Sequence, residues 1–285
     1  MLPSLAQLPD TDIWLLDILN NHGDITFGNP VNITNRVGYD NQPAFSPDGK
    51  FILFSSVREG LQSDIYRYDI DSKKTTQVTK TEESEYSPTF MPDGKNMSVV
   101  RVERDSTQRL WKFPLAGGEP SLVLTKIKNV GYHCWIDNNR VALFILPEPF
   151  TLQIADVNSE ALQLIDDSIG RCTQLVPNQN AVSYTKKDKE KKSTILHVNL
   201  DKTGKMNDLD VYMKNFKTPE LSEDYVWLSP RTLLSGNGSE LVMACIACRQ
   251  DGWKVLMDLK PVGIEKIGRI VLSPDRKRIA LVTTK

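Results

Sequence analysis

The hexapeptide Phe45-Ser46-Pro47-Asp48-Gly49-Lys50 returns forty-five residues later as Phe90-Met91-Pro92-Asp93-Gly94-Lys95. Apolar alternation follows each copy, Phe51-Ile52-Leu53-Phe54 in one and Met97-Ser98-Val99-Val100 in the other. Degraded copies begin at Trp135, Leu175, Leu228 and Leu272, so the anchors are spaced by 45, 45, 40, 53 and 44 residues. A period of about 40 to 45 residues with strand-like content is the signature of propeller blades. Helical repeats are excluded by the period-2 runs and the turn residues inside each unit.

Each part of the unit has a physical job. Proline presets φ for a tight turn, aspartate caps backbone N–H groups, and glycine takes the positive φ that side chains resist. The anchor before the turn is expected to pack between blades. A second register marks the third strand of each blade: Ile13-Trp14-Leu15-Leu16-Asp17, Ile65-Tyr66-Arg67-Tyr68-Asp69, Leu110-Trp111-Lys112-Phe113-Pro114, Leu152-Gln153-Ile154-Ala155-Asp156, Ile195-Leu196-His197-Val198-Asn199 and Lys254-Val255-Leu256-Met257-Asp258. Outer strands are expected at 31–34, 76–79, 122–125, 162–165 and 264–267, with the fourth blade's near 211–214. Residues from about 10 to 35 supply only third and fourth strands, and those from about 270 to 285 only first and second. Together they complete one blade and leave no open sheet edge. The expected fold is all-β, a six-bladed propeller of four-stranded antiparallel blades spanning 10–285 as one domain behind a flexible tail at 1–9.

The unit Pro43-Ala44-Phe45-Ser46-Pro47-Asp48-Gly49-Lys50, with Phe54-Ser55-Ser56, Gly60, Asp64-Ile65-Tyr66, Asp69 and Val78-Thr79 after it, closely resembles the TolB-like, WD-like propeller repeat. The resemblance is strongest over 40–125 and faint over 150–220. It implies a propeller that works as a protein-docking surface and a periplasmic or otherwise extracytoplasmic setting, with a cytoplasmic one as the alternative. Similar propellers occur beside serine peptidases and, in variant form, in oligogalacturonide lyases and lactonases.

Composition narrows the chemistry. With 35 Lys+Arg against 36 Asp+Glu the formal charge is −1, which argues against a dedicated nucleic-acid binder. No apolar run approaches the roughly 20 residues of a membrane-spanning helix. Four cysteines are too few for a disulfide scaffold. Cys245 and Cys248 share C-x-x-C spacing, but they read as part of one strand, which sends their sulfurs to opposite faces, so they are expected to be structural thiols. His22 reads as a turn residue and His197 as a strand residue, neither with a companion at metal spacing. Asp201, Asp208 and Asp210 do not fit a calcium loop. Ser235-Gly236-Asn237-Gly238-Ser239 reads as a hairpin turn. The run from Lys186 to Lys192 reads as a solvated connector between strands of the fourth blade. Leu5-Ala6-Gln7 is compatible with the remnant of a signal-cleavage site or with a disordered tail.

Propellers gather function where the first strands begin. Alignment on the anchors places Asp40, Asn41, Glu85, Tyr86, Tyr132, His133, Arg171, Asp224, Tyr225 and Arg269 around that mouth, with Glu223 beside them. Tyrosine and arginine supply rigid area and directed donors, so the expected function is non-enzymatic binding of a protein, peptide or envelope glycan. No resident cofactor is expected. The alternative is a lyase, lactonase or hydrolase using mouth carboxylates, with calcium or another divalent cation on Glu85, Asp224 or Asp40.

Overall fold

The computed structural model describes residues 8–21, 24–200, 206–209, 216–246 and 252–284. Expectations for Leu5-Ala6-Gln7, His22, Asp201, Asp210, the 211–214 strand, Cys248 and the Asp208 side chain fall outside what it describes.

Six antiparallel sheets form a closed ring of six blades. Blade 1 runs Asp40–Phe45, Phe51–Val57, Ser63–Asp69, Lys74–Gln77, and blade 2 runs Ser84–Phe90, Asn96–Val102, Gln108–Pro114, Ser121–Leu122. Blade 3 is built from Val130–Trp135, Arg140–Ile145, Thr151–Asp156 and Leu162–Asp167. Blade 4 uses Ile169–Leu175, Ala181–Lys187 and Ser193–Leu200, the last paired with both Met206–Leu209 and Phe216–Lys217. Blade 6 joins the two ends of the chain: Lys266–Leu272 and Arg278–Thr284 pair with Thr11–Asn21, which also carries Asp24–Phe27 and Val31–Asn32. Thr11 faces Thr284 and Leu16 faces Ile279 in that closing ladder.

The repeated turns form as their residues require. Ser46 Oγ donates to Asp48 Oδ1 at 2.6 Å, the Lys50 amide donates to the same oxygen at 3.1 Å, and Gly49 takes φ 68°. In the sixth copy Arg276 occupies the glycine's place at φ 58°.

Burial follows the alternation, and the core is distributed between blades. Six apolar clusters each join neighbouring sheets: Phe45 packs with Ile13 and Val282 across blades 6 and 1, and Trp135 with Val100 and Leu110 across blades 2 and 3. Polar ties repeat as well. Trp135 Nε1 donates to Ser98 Oγ and Trp227 Nε1 to Ser183 Oγ, each at 2.8 Å from one blade to the previous one. Gln42 and Ser87, both at positive φ in bulges, link blades 1 and 2 through the Ser87 amide and Gln42 Oε1 at 2.9 Å.

Blade 5 corrects the expected register. Its strands are Tyr225–Ser229, Thr232–Asn237, Glu240–Cys245 and Lys254–Asp258, so Lys254–Asp258 is the outer strand and not the third. Lacking the Asp-Gly-Lys part of the turn, the chain reverses at once, with Ser229 facing Thr232. The second strand therefore ends at Asn237, and the Gly238-Ser239 hairpin returns a third strand through Leu241. Residue 264, expected in an outer strand, is a buried connector, and Ile267 belongs to blade 6. The third strand is Glu240–Cys245. Cys245 is disulfide-bonded, whereas Cys134 and Cys172 are free thiols, which corrects the thiol reading for Cys245. His197, in the third strand of blade 4, is buried.

Candidate functional site

The first strands of neighbouring blades touch one another and line the ring. At the end where these strands begin lies a cavity of about 1080 Å³. Its floor includes Tyr39, Asn41, Arg171, Gly268 and Arg269, and its walls are the 187–193 connector and the 217–223 approach to blade 5. Leu8, Pro9, Thr11 and Thr284 complete it, so the closing blade brings both described ends of the chain to this face.

The centre of the floor is a charged cluster joining four blades. Arg171 Nε donates to Asp224 Oδ1 at 3.0 Å and its Nη2 to the Gly268 carbonyl at 2.7 Å. Arg269 Nη2 donates to Tyr132 Oη at 2.8 Å while its guanidinium lies 5.0 Å from that ring's centre. Arg269 Nη1 stands 3.9 Å from Asp224 Oδ2. Glu223 is held by Lys187 at 2.8 Å and by Arg171 at 3.6 Å. Burial works against the Arg171 charge, but Asp224 and Glu223 outweigh it and raise its pKa above the usual guanidinium value. Tyr39, against Tyr86 at 6.3 Å, is pushed well above the usual phenol range by burial, so it stays a neutral hydroxyl. Close approach is built in at Gly170: a Cβ there would meet Thr185 Oγ1 at 2.3 Å and Glu223 Oε2 at 2.8 Å.

The expected mouth residues divide. Asn41, Arg171 and Arg269 line the cavity, and Asp224 and Tyr132 hold the two arginines. Tyr86 reaches the group through Tyr39. The others lie between blades. Asp40, fully buried, accepts from Ser56 Oγ at 2.6 Å and pairs with Arg36 at 3.0 Å; burial raises its pKa against those partners. Glu85, equally buried, accepts from Thr79 Oγ1 at 3.1 Å, from Thr81 Oγ1 and from Arg101 Nε at 3.2 Å, and burial still lifts its pKa to about 7. His133 Nε2 lies 2.7 Å from Ser98 Oγ, its Nδ1 is buried with no partner, and burial lowers its pKa to about 3, so it is neutral. Tyr225 is buried beside Trp227, its pKa raised by burial. The carboxylates a shared cation requires are thus each tied within separate groups, and no cluster of three or more metal-ligating side chains occurs among the described residues.

The anchor alignment missed Tyr39, one residue ahead of its window, and the wall lysines Lys187, Lys191, Lys192, Lys217 and Lys266. The charge run before Ser193 was the available signal. It reads as solvated because sequence gives no sign that the connector leans over the mouth.

Comparison with known proteins adds the family. The TolB beta propeller domain model matches residues 22–223. The Tol-Pal system protein TolB of Francisella tularensis is 34% identical over 66 residues, 23% of this chain and 15% of that one. The curated relatives matched here are covered over 28% or less of their own length. A putative TolB from Agrobacterium tumefaciens superposes with a TM-score of 0.66 at 14% identity, covering 97% of this chain and 99% of that one. An oligogalacturonate lyase in complex with manganese superposes with a TM-score of 0.56 at 14% identity, covering 90% and 80%. At such identities the superpositions speak for the fold alone.

Proposed function

This chain belongs to the TolB beta propeller family, and from that premise we propose that it is a non-enzymatic docking module that receives a macromolecular partner at the channel mouth. One observation carries the reading: Arg171, Asp224, Arg269 and Tyr132 come from four blades to a single cluster on the floor of an open cavity. Preset guanidinium groups beside tyrosine faces are the elements of interface hot spots, because little side-chain freedom remains to be lost on binding. The setting we propose is periplasmic or otherwise extracytoplasmic. The disulfide at Cys245 supports it, since such bonds persist in oxidising compartments. No described helix is long and apolar enough to cross a membrane.

The test is site-specific photo-crosslinking in an envelope fraction, with the reactive side chain at Leu221 on the mouth or at Lys50 in a turn between strands of blade 1. A discrete adduct from Leu221, absent from Lys50 and lost when Arg269 is replaced by alanine, is the expected result. Adducts that ignore both position and Arg269 would refute the proposal. Melting with calcium, manganese or EDTA separates docking from the propeller-enzyme alternative. Docking predicts no shift, whereas a rise of several degrees with one cation favours the enzyme.

A further inference from the structure

The chain as a whole is balanced, yet its mouth is not: seven Lys and Arg side chains line the cavity against three Glu. Much of that excess is uncommitted. Lys191, Lys192, Lys217 and Lys266 are exposed, and none is held in an ion pair among the described residues. On the floor, Arg269 uses Nη2 on Tyr132, while its Nη1 at 3.9 Å from Asp224 lies beyond hydrogen-bond reach. A concave site with one sign of charge focuses its field on ligands of the other sign.

Apolar side chains share the same space. Leu8 and Leu221 line the cavity while 39% and 58% exposed, and Tyr39 offers a neutral ring on the floor. A volume of about 1080 Å³ is far more than a single phosphate or carboxylate fills.

Resting on the docking reading, we infer that the mouth is specific for an acidic peptide segment carrying aliphatic side chains. Its carboxylates meet Arg269 and the wall lysines, and its aliphatic groups meet Leu8 and Leu221. The exposed leucines favour a peptide over an acidic glycan, which presents hydroxyls and ring edges and leaves such side chains unused.

The test is fluorescence anisotropy with a labelled dodecapeptide of alternating acidic and leucine residues. Its Asn/Gln counterpart, its Lys counterpart and tetragalacturonate serve as comparisons. The acidic peptide is expected to bind at least tenfold tighter than either counterpart, and to weaken at least tenfold between 50 and 300 mM salt. R269Q should weaken it tenfold or more. The double variant K217Q/K266Q, on exposed positions that leave the fold alone, should weaken it severalfold. Equal binding of the acidic and neutral peptides, preference for the lysine peptide, or tighter binding of tetragalacturonate overturns the inference. If no peptide binds while mouth-specific crosslinks at Leu221 persist, the acidic class fails and docking stands. If the crosslinks vanish too, both fail.

Discussion

Blades 1 and 2 use the starts of their first strands differently from blades 4 to 6. In the first region Asp40 and Glu85, one repeat apart, are both fully buried and bound by hydroxyls and an arginine, so each serves to tie strands together. In the second, Arg171, Asp224 and Arg269 stand at comparable places but meet one another at the edge of a cavity. The repeat is intact in the first region and eroded in the second. Where Pro-Asp-Gly turns and apolar alternation are kept, the mouth carboxylates are absorbed into the scaffold. Where the repeat has drifted, the connectors lengthen, charges collect, and the same positions face an opening. Function on repeat folds belongs to the units that depart from their pattern, since the pattern itself encodes packing.

The largest test of this contrast is truncation of a scaffold carboxylate. Glu85→Ala removes the fully buried one of the two carboxylates paired with Arg101, the other being Glu83, and should cost about 3 kcal/mol in urea denaturation. A loss no greater than that of a mouth variant would erase the distinction. Next comes Gly170→Ala, whose Cβ would collide with Thr185 Oγ1 at 2.3 Å. Overpacking of this kind costs about 1 to 3 kcal/mol, and displacement of Glu223 should also weaken mouth binding.

The third test is pH. The native state holds the Glu85 proton up to about 7, whereas an unfolded glutamate releases it near 4.5. Between those values the native form binds more protons, so this group makes stability fall as pH rises through the window, by an amount on the order of 3 kcal/mol. Glu85→Gln keeps the side chain's size and should flatten that slope in melting curves taken from pH 5 to 8. An unchanged slope would place the titration elsewhere.

Smaller effects belong to the open half and to the turns. Arg269→Gln should alter stability by less than about 1 kcal/mol, because its ion pair is long and partly solvated. Smallest is Arg276→Gly, where relief of a positive φ is offset by the greater freedom of unfolded glycine. A gain of about 0.5 kcal/mol in denaturant titration is expected.

The sequence showed the fold where local rules act. Phe45-Ser46-Pro47-Asp48-Gly49-Lys50 encodes its own turn, and Ile13 to Asp17 revealed the closing strand by its alternation. It misled where one missing residue type changes the path. Without Asp-Gly-Lys after Pro230, the fifth blade turns early and its third and fourth strands each come one place sooner than expected, while the closing strands Lys266–Leu272 and Arg278–Thr284 fall where the sixth anchor put them. The site was legible only in part, because alignment on anchors gives height along a strand but not which neighbour a side chain meets. Asp40 and Asp224 sit at similar heights. Arg36, before blade 1, encloses the first, and Arg171 and Arg269, from other blades, flank the second. Such long-range partners have no local signature.

The most direct measurement is acidic-peptide affinity for two charge-removing variants, Arg269→Gln and Glu85→Gln, each first shown to be folded by its melting curve. The account predicts that Arg269→Gln binds at least tenfold more weakly while Glu85→Gln binds as the parent chain does. Equal affinities for the two, or the loss falling on Glu85→Gln, would contradict it.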